Sequence, residues 1–551
     1  MLKWLDKLGS KPDHPMHSVA AAKALLADLP EDPGKALEEV ASWLTTLTGT
    51  EDFRLADRVD IVKLLDETGQ PFERRLVHLY LKSGTLKEYE RMRAWQVALE
   101  FWERLNDAYR LCLTEFGQDR KAARRLADAM PLLIARCLRA LANVTRVLRL
   151  RYLPVGGEMW QALFEVYRLS ETAGCDNQRL SAYTNDALPT TPRQELLTAL
   201  MLDAASPESI LLHQVDLTAR AAARFADSFL LRPTLETGCN WYFDLAKPNR
   251  PLPVSANVSV QNTMRFFGAG IAIAKIDDVI KRMTANPDEQ IKLLGEDYSS
   301  EDKLLVLKRL MLFWSEHPPR RASERSKAMA EIEVARGFKH AARLVLHVES
   351  SGMAEIVHGT MDVKLKENLG LELAADQEQA LTERWLEQDT STWGLGVEIP
   401  RGSESWARVG VLCGLKGDAQ RWWVGIVRRL YRDSKNRAHA GIEILAKKPV
   451  SVWLRSAGQS GAPAENWAVS TESYDFLNAI LLNDSAMATQ RNELLLARGV
   501  FHIGNIYEVM VGDTPHYLKF AELLGEGEDF NHVRFTWDKG KPEVVLPHSK
   551  S

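Results

Sequence analysis

Asp389-Thr390-Ser391-Thr392-Trp393-Gly394 runs directly into Leu395-Gly396-Val397-Glu398-Ile399. A carboxylate, a hydroxyl and a glycine are spaced D-x-S-x-x-G at the mouth of an extended apolar segment. The carboxylate and the hydroxyl offer hydrogen-bonding groups to a ligand edge, and the glycine lets the backbone come close without a side chain in the way. Alone, the hexapeptide also fits an Asx turn ahead of a strand. Its neighbours decide what it means.

On both sides of the motif the apolar period is that of β structure. MAEIEVARG (329–337), RLVLHVE (343–349), GLGVEIP, WARVGVLCGL, RWWVGIVRRLYR, AGIEILA and SVWLR are short alternating or continuous apolar runs with Gly, Pro and charged turns between them. Short strands so closely spaced predict an antiparallel barrel or sandwich over 315–458. KENLGLELAADQEQALTERWLEQ, just ahead of Asp389, reads as a partly helical insertion, about 337–388. A second small β-rich domain is expected over 461–551, from NWAVS, ELLLARG, IYEVMVG, HYLKFAELLG and HVRFTW, with a helix over DFLNAILLNDSA and a frayed tail.

Upstream the period changes to that of helices. Only nine of the 33 glycines fall before residue 230. Asp32-Pro33-Gly34 opens one helix, and Glu88 to Phe116 carries apolar residues close to every 3.6 positions. Thr191-Pro192-Arg193-Gln194 is a capping box with proline at the first helical position. Without a fixed repeat of 30 to 50 residues, 1–230 reads as an irregular helical bundle. Arg136, Arg139, Arg146 and Arg149 recur among its leucines. They predict a solvated or salt-bridged helix face, with a basic docking face as the alternative. Residues 231–314 read as a mixed α/β connection, extended at 240–245, 255–260 and 264–273. The fold class is therefore α+β multidomain.

The composition sets bounds. With 551 residues the chain exceeds one core, and 70 Lys+Arg against 74 Asp+Glu give no global reason to expect nucleic acid or an anionic membrane. Five scattered cysteines without CxxC spacing argue for a reducing compartment and against a zinc site or a disulfide frame. No run approaches the ~18 apolar residues of a membrane span, so a cytoplasmic protein without membrane insertion is expected. No HExxH, G-x-S-x-G or Walker loop points to catalysis. His340, His347 and His358 match no metal spacing. No enzyme activity, cofactor or metal is expected.

Three features fall in order across 315–455. Arg320 and the R-x-x-x-R pair Arg321 and Arg325 precede a strand, the Asp389–Gly394 motif opens another, and strands around Ile426 and Ile442 form a late hairpin. This order resembles the PilZ domain, a bacterial β-barrel family that binds the second messenger cyclic diguanylate (c-di-GMP). In that family an R-x-x-x-R before the barrel and a [D/N]-x-S-x-x-G on an early strand hold the ligand. A late strand pair of the form V-x-R … V-G-[IV]-E-F closes the barrel. The resemblance implies that Arg321 and Arg325, with Arg320 as a third candidate, clamp phosphate and guanine, while Asp389, Ser391 and Gly394 cradle the other guanine edge. Guanidinium forks suit phosphate oxygens and guanine O6/N7, and an aspartate suits the N1–H and N2–H edge.

The expected function is a receptor that binds c-di-GMP, orders the 318–325 segment on binding and signals through its helical half to an unidentified protein partner. Two other readings compete: a nucleotide-independent adaptor with a decayed site, and an RNA binder using Arg421, Arg428, Arg429, Arg432, Lys435 and Arg437. The near-neutral charge speaks against the last.

Overall fold

The computed structural model describes residues 12–51, 53–82, 86–118, 124–184, 188–255, 257–286, 292–319, 325–353, 382–416, 421–456, 476–482, 492–511 and 514–538. The chain divides into two units, 1–320 and 321–551.

The first unit is mostly helical: α1 (Val19–Ala27), α2 (Pro33–Gly49), α3 (Leu55–Leu81), α4 (Glu88–Gln118), α5 (Met130–Arg149), α6 (Gly157–Thr172), α7 (Pro192–Ala204), α8 (Leu212–Arg224), α9 (Ala272–Ala285) and α10 (Ser300–Phe313). Their starts follow the local chemistry. Asp32 accepts a hydrogen bond from the Lys35 N–H at 2.8 Å ahead of Pro33, and Thr191 accepts from Gln194 N–H at 3.2 Å ahead of Pro192. An antiparallel sheet joins them, in the order β1 (Leu230–Arg232), β4 (Met264–Gly268), β2 (Trp241–Asp244), β3 (Leu252–Pro253). Phe243 stacks 4.5 Å from Phe164, which ties that sheet to the helical core. The segment at 255–260, expected to be extended, contains a turn closed by Val258 N–H to Ser255 O at 3.2 Å.

The central helix α5 decides how this unit is held. It is buried along most of its length, and its arginines go inward. Arg136 donates to Glu67 at 2.6 Å and stacks 4.4 Å over the Tyr183 ring. Arg139 forks onto Glu195 at 3.0 and 2.6 Å, and Arg149 reaches Asp203 at 2.6 Å. Arg146 bridges Glu73 at 2.5 Å and Asp216 at 2.7 Å. Of the readings open to these arginines, the salt-bridged face is the one found, with Arg136 and Arg149 buried and Arg139 and Arg146 partly so.

The second unit contains two closed antiparallel barrels. β6 (Glu331–Arg336), β7 (Thr382–Ser391), β8 (Gly394–Glu398), β9 (Leu412–Lys416), β10 (Trp422–Arg432) and β11 (Ala438–Ala446) form the first, with the two-residue strand β5 (Ser326–Lys327) beside β7. β12 (Val450–Ser456), β13 (Phe476–Leu481), β14 (Glu493–Ala497), β15 (Ile506–Val511), β16 (Thr514–Glu526) and β17 (Phe530–Asp538) form the second. The first closes in the order β6-β7-β8-β11-β10-β9, and the second in the order β12-β13-β14-β17-β16-β15. Strand for strand the two circuits are the same, so the second barrel repeats the topology of the first.

Three expectations are corrected here. RLVLHVE is no strand but part of a helix, α11 (Gly337–Met353). Phe338, Ala341, Ala342 and Val345 stand at helical spacing and pack with Trp422 and Val424 of the first barrel and Ile480, Leu495 and Phe530 of the second. The region read as a looped-out insertion thus begins with the wedge between the barrels. DFLNAILLNDSA holds strand β13 instead of a helix. Ala479 and Leu481 point into the second barrel while Ile480 and Leu482 pack with the α11 cluster, so both faces are apolar and the alternation disappears. SVWLR, grouped with the first barrel, pairs with β13 and β15 in the second.

The α11 N-terminus is capped across modules. Gly337 has φ +75°, and the Phe338 N–H donates to Asp529 Oδ2 at 2.6 Å. Asp529→Ala is therefore expected to cost about 1 kcal/mol of stability in urea unfolding of the full chain. Arg146→Met takes the guanidinium from buried Glu73 and leaves Asp216 with Arg220, and is expected to cost about 3 kcal/mol. Arg93→Ala, which breaks an exposed pair with Glu38, is expected to cost less than about 1 kcal/mol in the same assay.

Candidate functional site

Backbone pairing brings Arg325 to the motif despite the distance in sequence. Ser326 pairs with Thr390 and Lys327 with Asp389, while Ala328 N–H donates to Gln388 O at 3.1 Å. β7 then turns tightly into β8, with Ser391 opposite Gly394, Thr390 opposite Leu395 and Asp389 opposite Gly396. A bulge between Glu387 and Asp389 shifts the register just before the acidic residue. Ser391 Oγ donates to the Gly394 carbonyl at 3.2 Å and holds the turn. On the other edge of β8, Glu443 of β11 stands opposite Gly394.

The side chains alternate as a barrel wall requires. Leu395 and Val397 are buried with Ile442 and Ile444. Gly394 and Gly396 face the other way, and the Arg325 guanidinium lies against them. A Cβ on Gly394 would stand 3.4 Å from Arg325 Nη2 and 3.1 Å from Ser391 Oγ. On Gly396 it would stand 2.4 Å from Asp389 Oδ1 and 2.9 Å from Arg325 Nη1. Arg325 Nη1 donates to Asp389 Oδ1, and the two side chains are 24% and 36% exposed. The pair therefore sits at the surface with spare donors on the guanidinium and a second carboxylate oxygen free to accept.

Arg325, Asp389, Ser391 and Gly394 are thus brought together. Arg320 and Arg321 lie outside the described residues. Sequence reasoning missed Gly396, whose spacing of two from Gly394 was the available signal, because same-face residues in a strand recur every second position.

A cleft of about 570 Å³ in the helical unit is lined in part by Glu73, Arg146, Asp216, Arg220 and Asp297. Those charges are already matched, with Arg220 forking onto Asp297 at 2.8 and 2.9 Å and onto Asp216 at 2.8 Å. Among the described residues no cluster of His, Cys, Asp and Glu could hold a metal ion. His358 lies outside them. No helix among them is long and apolar enough to cross a membrane.

Gly396→Ala places a methyl group inside the Arg325–Asp389 pair and is expected to cost about 1–2 kcal/mol in urea unfolding. Gly402→Ala, where a Cβ meets nothing within 4 Å, is the control and should leave the transition unchanged.

Comparison with known proteins adds one independent finding. No curated protein matches the chain. Residues 20–234, within the helical unit, match the family model described as the N-terminal domain of the cyclic-di-GMP receptor FimW.

Proposed function

We propose that the chain is a c-di-GMP receptor and that a PilZ-like site on its first barrel holds the ligand. The observation that carries this reading is the Arg325 guanidinium, paired with Asp389 and laid over the bare backbone of Gly394 and Gly396. The family description matched by the helical unit supports the same ligand from a different part of the chain.

The chemistry is that of exchange between partners. A half-exposed ion pair is worth roughly 0–1 kcal/mol, so a ligand can take over the guanidinium at little cost. Bidentate bonds from guanidinium to phosphate or to guanine O6/N7 are charge-assisted and stronger. Asp389 then accepts from the N1–H and N2–H edge of a guanine, and the glycines let the base or phosphate approach the strand. Arg320 and Arg321 would close over the ligand from the segment that precedes β5. Ser391 is engaged by the Gly394 carbonyl, so it shapes the turn. The site is one for binding, not catalysis, and the helical unit is the output arm toward a protein partner in the cytoplasm.

Calorimetry on the full chain tests this, with GTP and cyclic dimeric AMP as controls. Micromolar or tighter binding of c-di-GMP is expected, lost in Arg325→Ala and Asp389→Ala and weakened about tenfold in Ser391→Ala. An absence of heat with the wild-type chain, its barrels shown folded, would sink the reading and leave the nucleotide-independent adaptor.

A further inference from the structure

The D-x-S-x-x-G pattern leaves the residue before its glycine unspecified, and here it is Trp393. Its ring lies 5.5 Å from Lys447 Nζ, and the Trp423 ring lies 5.0 Å from the same atom. Lys447 directly follows β11 and is half-buried. The geometry is fixed by backbone on two sides. Ile444 N–H donates to Trp393 O at 3.0 Å, which fastens the motif turn to β11. Val424 pairs with Ala446, which puts Trp423 of β10 beside the end of that strand.

Two indole faces attract an ammonium but do not neutralise it. No carboxylate among the described residues lies within ion-pair reach of Lys447, whereas Arg325 and Arg428 of the same barrel have Asp389 and Glu443. A half-buried ammonium without a counter-ion is a place for an anion. The first of these rings belongs to the motif turn, since Trp393 is bonded to Gly394, against which Arg325 lies.

We propose that Lys447 is a further cationic arm of the ligand site, which takes a phosphate oxygen of the bound dinucleotide, and that Trp393 and Trp423 are positioning residues that hold its ammonium there. This rests on the reading of the first barrel as the c-di-GMP site. A c-di-GMP molecule carries two phosphates, and Arg325 with its partners meets one end of it, so a second cation beside the same turn matches the second charge.

The test is calorimetry with c-di-GMP on the wild-type full chain and on Lys447→Met, Lys447→Arg and Trp393→Leu, with thermal melting run alongside. Lys447→Met should weaken binding about tenfold or more, the loss of one charge-assisted contact. Lys447→Arg should stay within about threefold of wild type, because it restores the charge. Trp393→Leu should fall between them. Melting temperatures of Lys447→Met and Lys447→Arg should agree with wild type. Wild-type binding that Lys447→Met leaves unchanged, while Arg325→Ala abolishes it, overturns the lysine's role alone. No binding by the wild-type chain overturns the lysine's role and the site together.

Discussion

Strand β8 is five residues long, yet it carries hydrogen-bond ladders on both edges, to β7 and to β11, and these ladders close the first barrel. Closure removes the open edges that a sheet would otherwise present. The same strand supplies the floor of the candidate site, because its inward residues, Leu395 and Val397, fill the core while Gly394 and Gly396 leave the outer face bare. A guanidinium can lie flat only where no Cβ intervenes. One short strand therefore serves stability on one face and binding on the other, and neither use can be altered without the other.

The second barrel is joined to the first through α11. An apolar helix stripe wedged between two barrel walls buries surface on both sides, and each side is worth roughly 25 cal/mol per Å² removed from water. The Asp529 cap adds direction to that contact, since a helix N-terminus draws a carboxylate within hydrogen-bonding reach. A repeat of the same strand circuit supported by a helix inserted into the first circuit gives a tandem. In it the first barrel carries the arginine, acid and glycine set and the second supplies the surface against which α11 is fixed.

In the helical unit the arginines of α5 take the place that leucines hold in an ordinary bundle. Buried ion pairs add little net stability compared with an apolar replacement, but an unmatched member is costly. Arg136, Arg139, Arg146 and Arg149 meet carboxylates of three other helices, α3, α7 and α8. The pattern specifies which helices lie next to α5, since any other arrangement leaves charges buried without partners.

The sequence by itself determined the class of each half, since periods of 3.6 and 2 are local properties that survive without tertiary contacts. The Asp389, Ser391 and Gly394 spacing was legible in it too, whereas Arg325, 64 residues upstream, joined that motif only through the resemblance to the PilZ family. The sequence did not determine that RLVLHVE is helical or that DFLNAILLNDSA holds a strand. An apolar run buried on two faces has no period to read, and what lies on the second face is decided by another module. Only the tertiary structure decided that the α5 arginines are matched by carboxylates of other helices, that Gly396 completes the floor, and that Lys447 stands between two indoles. Each of these depends on residues distant in the chain meeting within a few ångströms, which strand register and barrel closure impose and a linear pattern does not record.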